Sequence, residues 1–279
     1  MIHLHHLAVF LLSVGTPILS SATEAPLVQE TREVLSFDQS HAKWSAVLGR
    51  ALQGSDIDYA VLKKDRAGLD AYLKVLEGVK SEDFAEWSRK QRYAFWVNAY
   101  NAYTIRLVVD HYPLKSIKDI GDEKLGTWDR AFIPLKPLFL KAKGDKLSLN
   151  DIEHEILRKR YADARVHAAV NCASKGCPPL VGKAFTAKGL DAQLDMAVQT
   201  WLADETRNRF DARKRTAEIS EIFNWFAEDF VRDGKSVSGW LARFAPEEER
   251  GWLVKEKVTL RYRDYDWALN DVPMAAEKE

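Results

Sequence analysis

Cysteine is scarce in this 279-residue chain: Cys172 and Cys177 are the only two, which excludes a disulfide-dense scaffold. Excess charge of either sign is also missing. The 41 Lys and Arg are balanced by 41 Asp and Glu, so there is no general attraction to anionic polymers, and no nucleic-acid partner is expected. Beyond the N-terminus no apolar run approaches the length of a membrane span. Internal repeats and long Gly/Ser/Pro linkers are absent, with 14 Gly and nine Pro in all. What is there is an ordinary globular composition, 46% hydrophobic and 11% aromatic with nine Trp. That length and apolar content suffice for one large domain with a sizeable core and exclude a disordered chain.

Residues 1–22 read MIHLHHLAVFLLSVGTPILSSA. An apolar run from Leu7 to Leu19 precedes Ser20 and Ala22, at the spacing a signal peptidase accepts. His3, His5 and His6 stand where Lys or Arg are usual. An uncleaved anchor or a buried helix is the alternative, but the run is short for a span and Pro17 interrupts it. Cleavage after Ala22 is therefore expected, giving a periplasmic or secreted protein with no stable membrane span and its thiols in an oxidising compartment.

Residues 23–50 read as a lead-in segment, with helical patterning from Trp44. Residues 51–272 read as one domain and 273–279 as a tail. Leu62, Leu69, Tyr72, Leu73 and Leu76 recur at helical spacing. Ser81, with Glu82 and Asp83 in a first turn, opens helical sequence that runs through Trp96 and Val109 to a stop at Pro113. Leu138–Ala142 and Lys146–Leu149 flank a Lys-Gly-Asp turn and suggest a hairpin. Asn150 and Glu153 suggest a capping box for the helix DIEHEILRKRY. Arg165–Asn171 reads as a strand, Ala187–Ala203 as a helix, Arg209–Ile219 as a hairpin, EIFNWFAEDFV as one helix and Val258–Tyr265 as a late strand. The fold class expected is α+β, predominantly helical, with helices packed on a small, mostly antiparallel sheet.

The chemical signal is strongest around the two cysteines. On a strand, His167 and Asn171 would share one face and deliver the chain into Cys172. A thiol becomes a nucleophile when a base or cation lowers its pKa and substrate can reach it; His167 and Lys175 could supply the first. A structural Cys172–Cys177 disulfide is the plainer reading, favoured by export. A third is a metal site drawing on His154, His167, Cys172 and Cys177, at a spacing that is not diagnostic. Asn98 and Asn101 share a helix face among aromatics, where unsatisfied amides cost about 1–3 kcal/mol each, so they either tie down backbone or line a pocket. Glu153, His154 and Arg158 form either a site or a solvated helix face. Asp266, between Tyr265 and Trp267, either orients a histidine or fixes the chain end.

Four segments, FWVNAYNAYTIR (95–106), LSLNDIEHEILR (147–158), VHAAVNCASKGCPPL (166–180) and YDWALN (265–270), together with EIFNWFAEDF (221–230), resemble the family called domain of unknown function 547. The resemblance spans roughly Asp58–Asn270. It implies no settled reaction, although relatives joined to glutaredoxin-like modules point to thiol chemistry. A looser likeness to the papain and transglutaminase arrangement would use His167 and Asp266, but the core helix carries no Cys. The leading expectation is an exported thiol-dependent enzyme needing no cofactor. Cys172 would be its nucleophile, His167 the activator and Cys177 the resolving thiol. Asn98, Asn101, Asn171, Asp266, His154 and Glu153 would bind or orient a peptide-like or thiol substrate. The reaction would be thiol–disulfide exchange, or acyl transfer or hydrolysis. The rival is a non-enzymatic envelope binding or structural protein clipped by a Cys172–Cys177 disulfide.

Overall fold

One helix organises the molecule. In the computed structural model, which describes residues 36–122, 124–139, 144–255 and 257–273, every residue from Tyr93 to Ile105 is buried within the helix Arg89–His111. A helix apolar on all sides belongs at the centre of a core. Its start is fixed by a reciprocal capping box between Ser88 and Gln91, and Pro113 follows its end. The expected signal segment 1–22 lies outside the described residues, as does nearly all of the expected tail. Among the described residues no helix is long and apolar enough to cross a membrane.

In chain order come α1 (Ala42–Ala51), the short antiparallel pair β1 (Leu52–Gln53) and β2 (Asp56–Ile57), α2 (Tyr59–Lys64), α3 (Ala67–Glu77), α4 (Ser81–Glu86) and α5, the central helix Arg89–His111. A π-helix, Asp151–Tyr161, packs on α5, as do α2 and α3. Then follow α6 (Val166–Ala169), α7 (Leu190–Ala203), β3 (Arg209–Asp211), β4 (Thr216–Ser220), α8 (Ile222–Trp225), α9 (Ala227–Gly234), α10 (Val237–Phe244), α11 (Glu247–Leu253) and β5 (Thr259–Arg263). Strand β4 pairs antiparallel with β3 across a tight turn and parallel with β5, which returns after four helices. The architecture is the expected mainly helical α+β class.

Two apolar clusters fill the interior. One surrounds α5; the other joins α7, β4 and α8–α11 around Trp201, Phe223, Phe230 and Trp240. Helix α6 lies on their seam. Val166 and Ala169 belong to the first cluster and Ala168 to the second.

Four local expectations need correction. Arg165–Asn171 is not a strand. Asp163 accepts from the Arg165 N–H, Asp233 accepts from the Ala164 N–H, and the chain closes into the single turn of α6 before extending at Val170. A short apolar run buried on both faces has no period that separates strand from helix. The capping box at the π-helix is made by Ser148 and Asp151, each bonding the other's N–H, while Asn150 donates to Asp129. Leu147 pairs with Ile133, and Lys136–Leu138 form a 3-10 turn, so the expected hairpin is not formed by its described residues. The segment EIFNWFAEDFV is broken at Phe226 into α8 and α9.

Candidate functional site

The break at Phe226 turns α9 so that Asp229 faces His167. Nε2 of His167 lies 2.8 Å from Asp229 Oδ2, and the imidazole stacks on Phe226 at 4.3 Å between ring centres. Arg158 Nε donates to the same carboxylate oxygen at 2.6 Å, and Arg232 Nη1 to the other at 2.7 Å. Burial alone would raise the Asp229 carboxyl. The hydrogen bonds from His167, Arg158 and Arg232 outweigh it and hold the carboxyl well below the usual range. An ionised carboxylate only accepts, so Nε2 of His167 carries a proton. Asp266 does not take this part. It is exposed, its carboxylate accepts from the Ala268 N–H, and its backbone carbonyl accepts from Gly176.

The π-helix supplies the next wall. Glu153, buried, accepts from the Tyr100 hydroxyl at 2.9 Å. Arg158 also reaches Glu228 and His154; having only donors, it fixes His154 Nδ1 as an acceptor at 3.2 Å. The Glu153–His154–Arg158 set is therefore not a solvated face: Glu153 is buried, and His154 and Arg158 are half-buried and bonded to each other.

From α6 the chain runs into the cysteine loop, which amides hold from several sides. Asn101 donates to the Ala169 carbonyl and accepts from the Asn171 N–H, at 2.8 and 2.9 Å. Asn171 accepts from the Ala173 N–H and from Asn270, and closes the loop by donating to the Pro178 carbonyl. Ala173 takes the left-handed conformation, with φ +60°. Asn98 makes the corresponding double bond to Phe185 N–H and carbonyl. Both helix amides thus tie down backbone, and neither lines the cavity described below.

Residues 173–176 pair with 266–270 through Lys175 N–H to Ala268, Gly176 N–H to Asp266 and the Ser174–Leu269 bridge. That pairing brings the Tyr265 hydroxyl to 3.2 Å from both sulfurs and 2.9 Å from Ser174 Oγ. It requires glycine at 176, where a Cβ would stand 2.9 Å from Tyr265 Cε2 and 3.0 Å from Asp266 backbone N and O. The backbone N–H of Cys172 donates to Cys177 Sγ at 2.9 Å.

The two cysteines are free and not at disulfide distance, so the expected clip is not present. They interact as thiols instead. Burial pushes Cys177 up, but hydrogen bonds from Cys172, Ser174, Tyr265 and the Cys172 N–H bring it down to about 6. The thiol of Cys172 moves well upward, first because its bond to Cys177 consumes its proton and then through burial. The donors gathered on Cys177 favour its ionised form over that of Cys172. Lys175 adds no charge here, being paired with Asp56 at 2.7 Å.

One cavity of about 170 Å³ gathers these groups. Cys172, Cys177, His167, His154, Glu153 and Tyr265 line it, with Trp128, Trp225, Phe226 and Trp267 as its aromatic walls. Among the described residues no three His, Cys, Asp or Glu side chains are placed to hold a metal ion. Reading the sequence missed Asp229 and the thiol contacts of Ser174 and Tyr265; the only signal for Asp229 was its place in the segment 221–230.

Residues 84–202 match the family described as protein of unknown function, DUF547. That stretch carries the match to a DUF547 domain. It spans α4 to α7 and so contains Asn98, Asn101, Glu153, His154, His167 and both cysteines, whereas Asp229 and Tyr265 come from sequence beyond the matched stretch. No curated protein and no solved structure matches the chain, and the looser likeness to papain and transglutaminase gains no support.

Proposed function

We propose that this protein is a thiol-dependent enzyme that exchanges disulfides through the Cys177–Cys172 pair. The observation that carries this reading is the convergence of the Cys172 N–H, the Ser174 hydroxyl and the Tyr265 hydroxyl on Cys177 Sγ beside a second thiol. Donors aimed at sulfur stabilise the thiolate, which is the attacking form. The roles expected of the two cysteines are thereby exchanged. Cys177 attacks one sulfur of a substrate disulfide; the substrate S–S bond breaks and its other sulfur leaves as a thiolate that takes up a proton. Cys172 then loses its proton and attacks Cys177 Sγ in the mixed disulfide, releasing the second substrate thiol. The substrate is reduced to two thiols and the cysteine pair is oxidised to a disulfide.

A small disulfide such as oxidised glutathione, followed by intact mass at neutral pH, tests this. The wild type should lose two hydrogens and retain no adduct, whereas Cys172→Ala should stop with one half-substrate on Cys177. Failure of Cys177→Ala to abolish reaction, or an inert wild type, would refute it. A second reading, acyl transfer or hydrolysis, is favoured by His167, which lines the same cavity and is bonded from behind by Asp229. It predicts that Cys172→Ala still turns over a thioester. Export to the periplasm or exterior is part of the proposal, resting on residues 1–22, and the mature N-terminal mass tests it.

A further inference from the structure

Away from the thiols, a cleft of about 560 Å³ lies between α4, the start of α5, the 3-10 turn Lys136–Leu138 and the end of the π-helix. Its apolar floor is Phe84, Trp96 and Phe139, all buried. Arg89, Arg92 and Arg160 line it too, and none of the three makes an ion pair among the described residues. No carboxylate is among its described lining residues.

The guanidinium groups are held in place without being neutralised. Arg89 stacks over the Tyr161 ring at 4.8 Å and donates to the Arg160 and Tyr161 carbonyls at the end of the π-helix. Arg160 stacks over Phe139 at 4.3 Å. Arg92 is anchored by one bond to the Ala85 carbonyl at 2.9 Å. All three guanidiniums line the one cleft beside Tyr161, whose hydroxyl is raised by burial and lowered by Arg92, Arg89 and Arg160. Stacking leaves the in-plane donors of Arg160 available, and Arg89 and Arg92 keep those not bonded to the carbonyls, a geometry suited to phosphate oxygens.

We propose that this cleft binds a phosphate ester whose phosphate sits among Arg89, Arg92 and Arg160 and whose apolar body lies on Phe84, Trp96 and Phe139. A phosphate monoester carries nearly two negative charges at neutral pH, closer than a carboxylate to balancing three cations. Inorganic phosphate offers the charge and nothing for the floor, so it should bind more weakly than an aryl ester. The same headgroup chemistry occurs on soluble esters and on anionic lipids.

The test is titration of the full chain with phenyl phosphate, with inorganic phosphate and with vesicles containing phosphatidic acid, followed by calorimetry and, for the vesicles, co-sedimentation. Arg92→Gln and Arg160→Gln are the variants, because Arg89 also holds the end of the π-helix and its loss could disturb folding. Saturable phenyl phosphate binding, weakened about tenfold or more by each variant and by added salt, is the expected result. Binding to vesicles alone, with the same loss in the variants, assigns the site to a lipid headgroup and also supports it. Absence of binding to both esters, or affinity unchanged in both variants with their folding intact by circular dichroism, overturns it. None of these readouts depends on the thiols.

Discussion

The charge on Cys177 has a kinetic signature that can be worked out in advance. With its pKa brought down to about 6, the thiol is about 90% ionised at pH 7, against about 1% for an ordinary thiol near 9. A less basic sulfur is also a poorer nucleophile, by about fifteen- to thirty-fold over three units at a Brønsted slope of 0.4–0.5. The net advantage over an ordinary thiol at pH 7 is thus only about three- to six-fold. At pH 5 it grows to about thirty- to sixty-fold, because the ordinary thiol has almost no thiolate left. Iodoacetamide alkylation, followed by peptide mass from pH 4.5 to 9, should place the midpoint for Cys177 near 6. Normalising to the high-pH plateau removes the effect of access through the cavity. Tyr265→Phe deletes a donor 3.2 Å from the sulfur. A hydrogen bond to a charged acceptor is worth about 1.5–3 kcal/mol, which moves the midpoint up by about one unit or more. A wild-type midpoint between 8 and 9, or one that Tyr265→Phe leaves in place, would refute the reasoning that the loop builds a thiolate site.

Three further perturbations read the scaffold. His41 is buried, with Nδ1 on the Tyr72 hydroxyl and Nε2 without a partner among the described residues, and desolvation lowers its pKa from 6.5 to about 4. The folded state then binds fewer protons than the unfolded one between these values, so stability is full above about pH 6.5 and falls toward pH 4, by about 3 kcal/mol; urea midpoints at pH 7 and 4.5 should show the loss, and His41→Gln should flatten it. Asn101→Ala leaves the Asn171 N–H and the Ala169 carbonyl without their partner, costing about 2–4 kcal/mol by urea unfolding. Asp229→Asn removes the charge facing Arg158 and His167 and should destabilise the fold by about 3–5 kcal/mol in the same assay.

What the sequence showed was set by local signals. The buried run of α5 is too long and too apolar to be anything but a core helix, and two amides in such a run must bond something buried; both bond loop backbone. The cysteine loop announced itself because its residue types are chemically unusual. By contrast, Asp229 follows Glu228 on a short helix whose acidic first turn reads as solvated, and nothing local says that the chain breaks at Phe226. Choosing Asp266 as the partner of His167 was a choice between carboxylates that pattern cannot rank. Tyr265 depends in turn on the fit of Gly176 against the chain at 265–266, a contact between segments about ninety residues apart.

The site is divided between the two packing clusters. The thiols hang from the α5 cluster through Asn101 and Asn171, while Asp229 and Phe226 arrive on the cluster around Phe223 and Trp240, and His167 sits on the one-turn helix whose side chains enter both. Tyr265, carried just beyond β5, touches the thiols from the second side. The donors on the sulfurs and the bond that orients the imidazole therefore need the seam to be closed, since the cysteine loop is tied to one cluster by Asn101 and Asn171 while Tyr265 and Asp229 come from the other. A substitution in the second cluster, far from sulfur, would reach the thiols through Tyr265 and His167 through Asp229, not through the loop itself. The family match ends at residue 202 while the cavity does not: the segment 84–202 carries the thiols and the histidines, and the remainder of the chain supplies Asp229, which bonds His167, and Tyr265, which bonds both sulfurs.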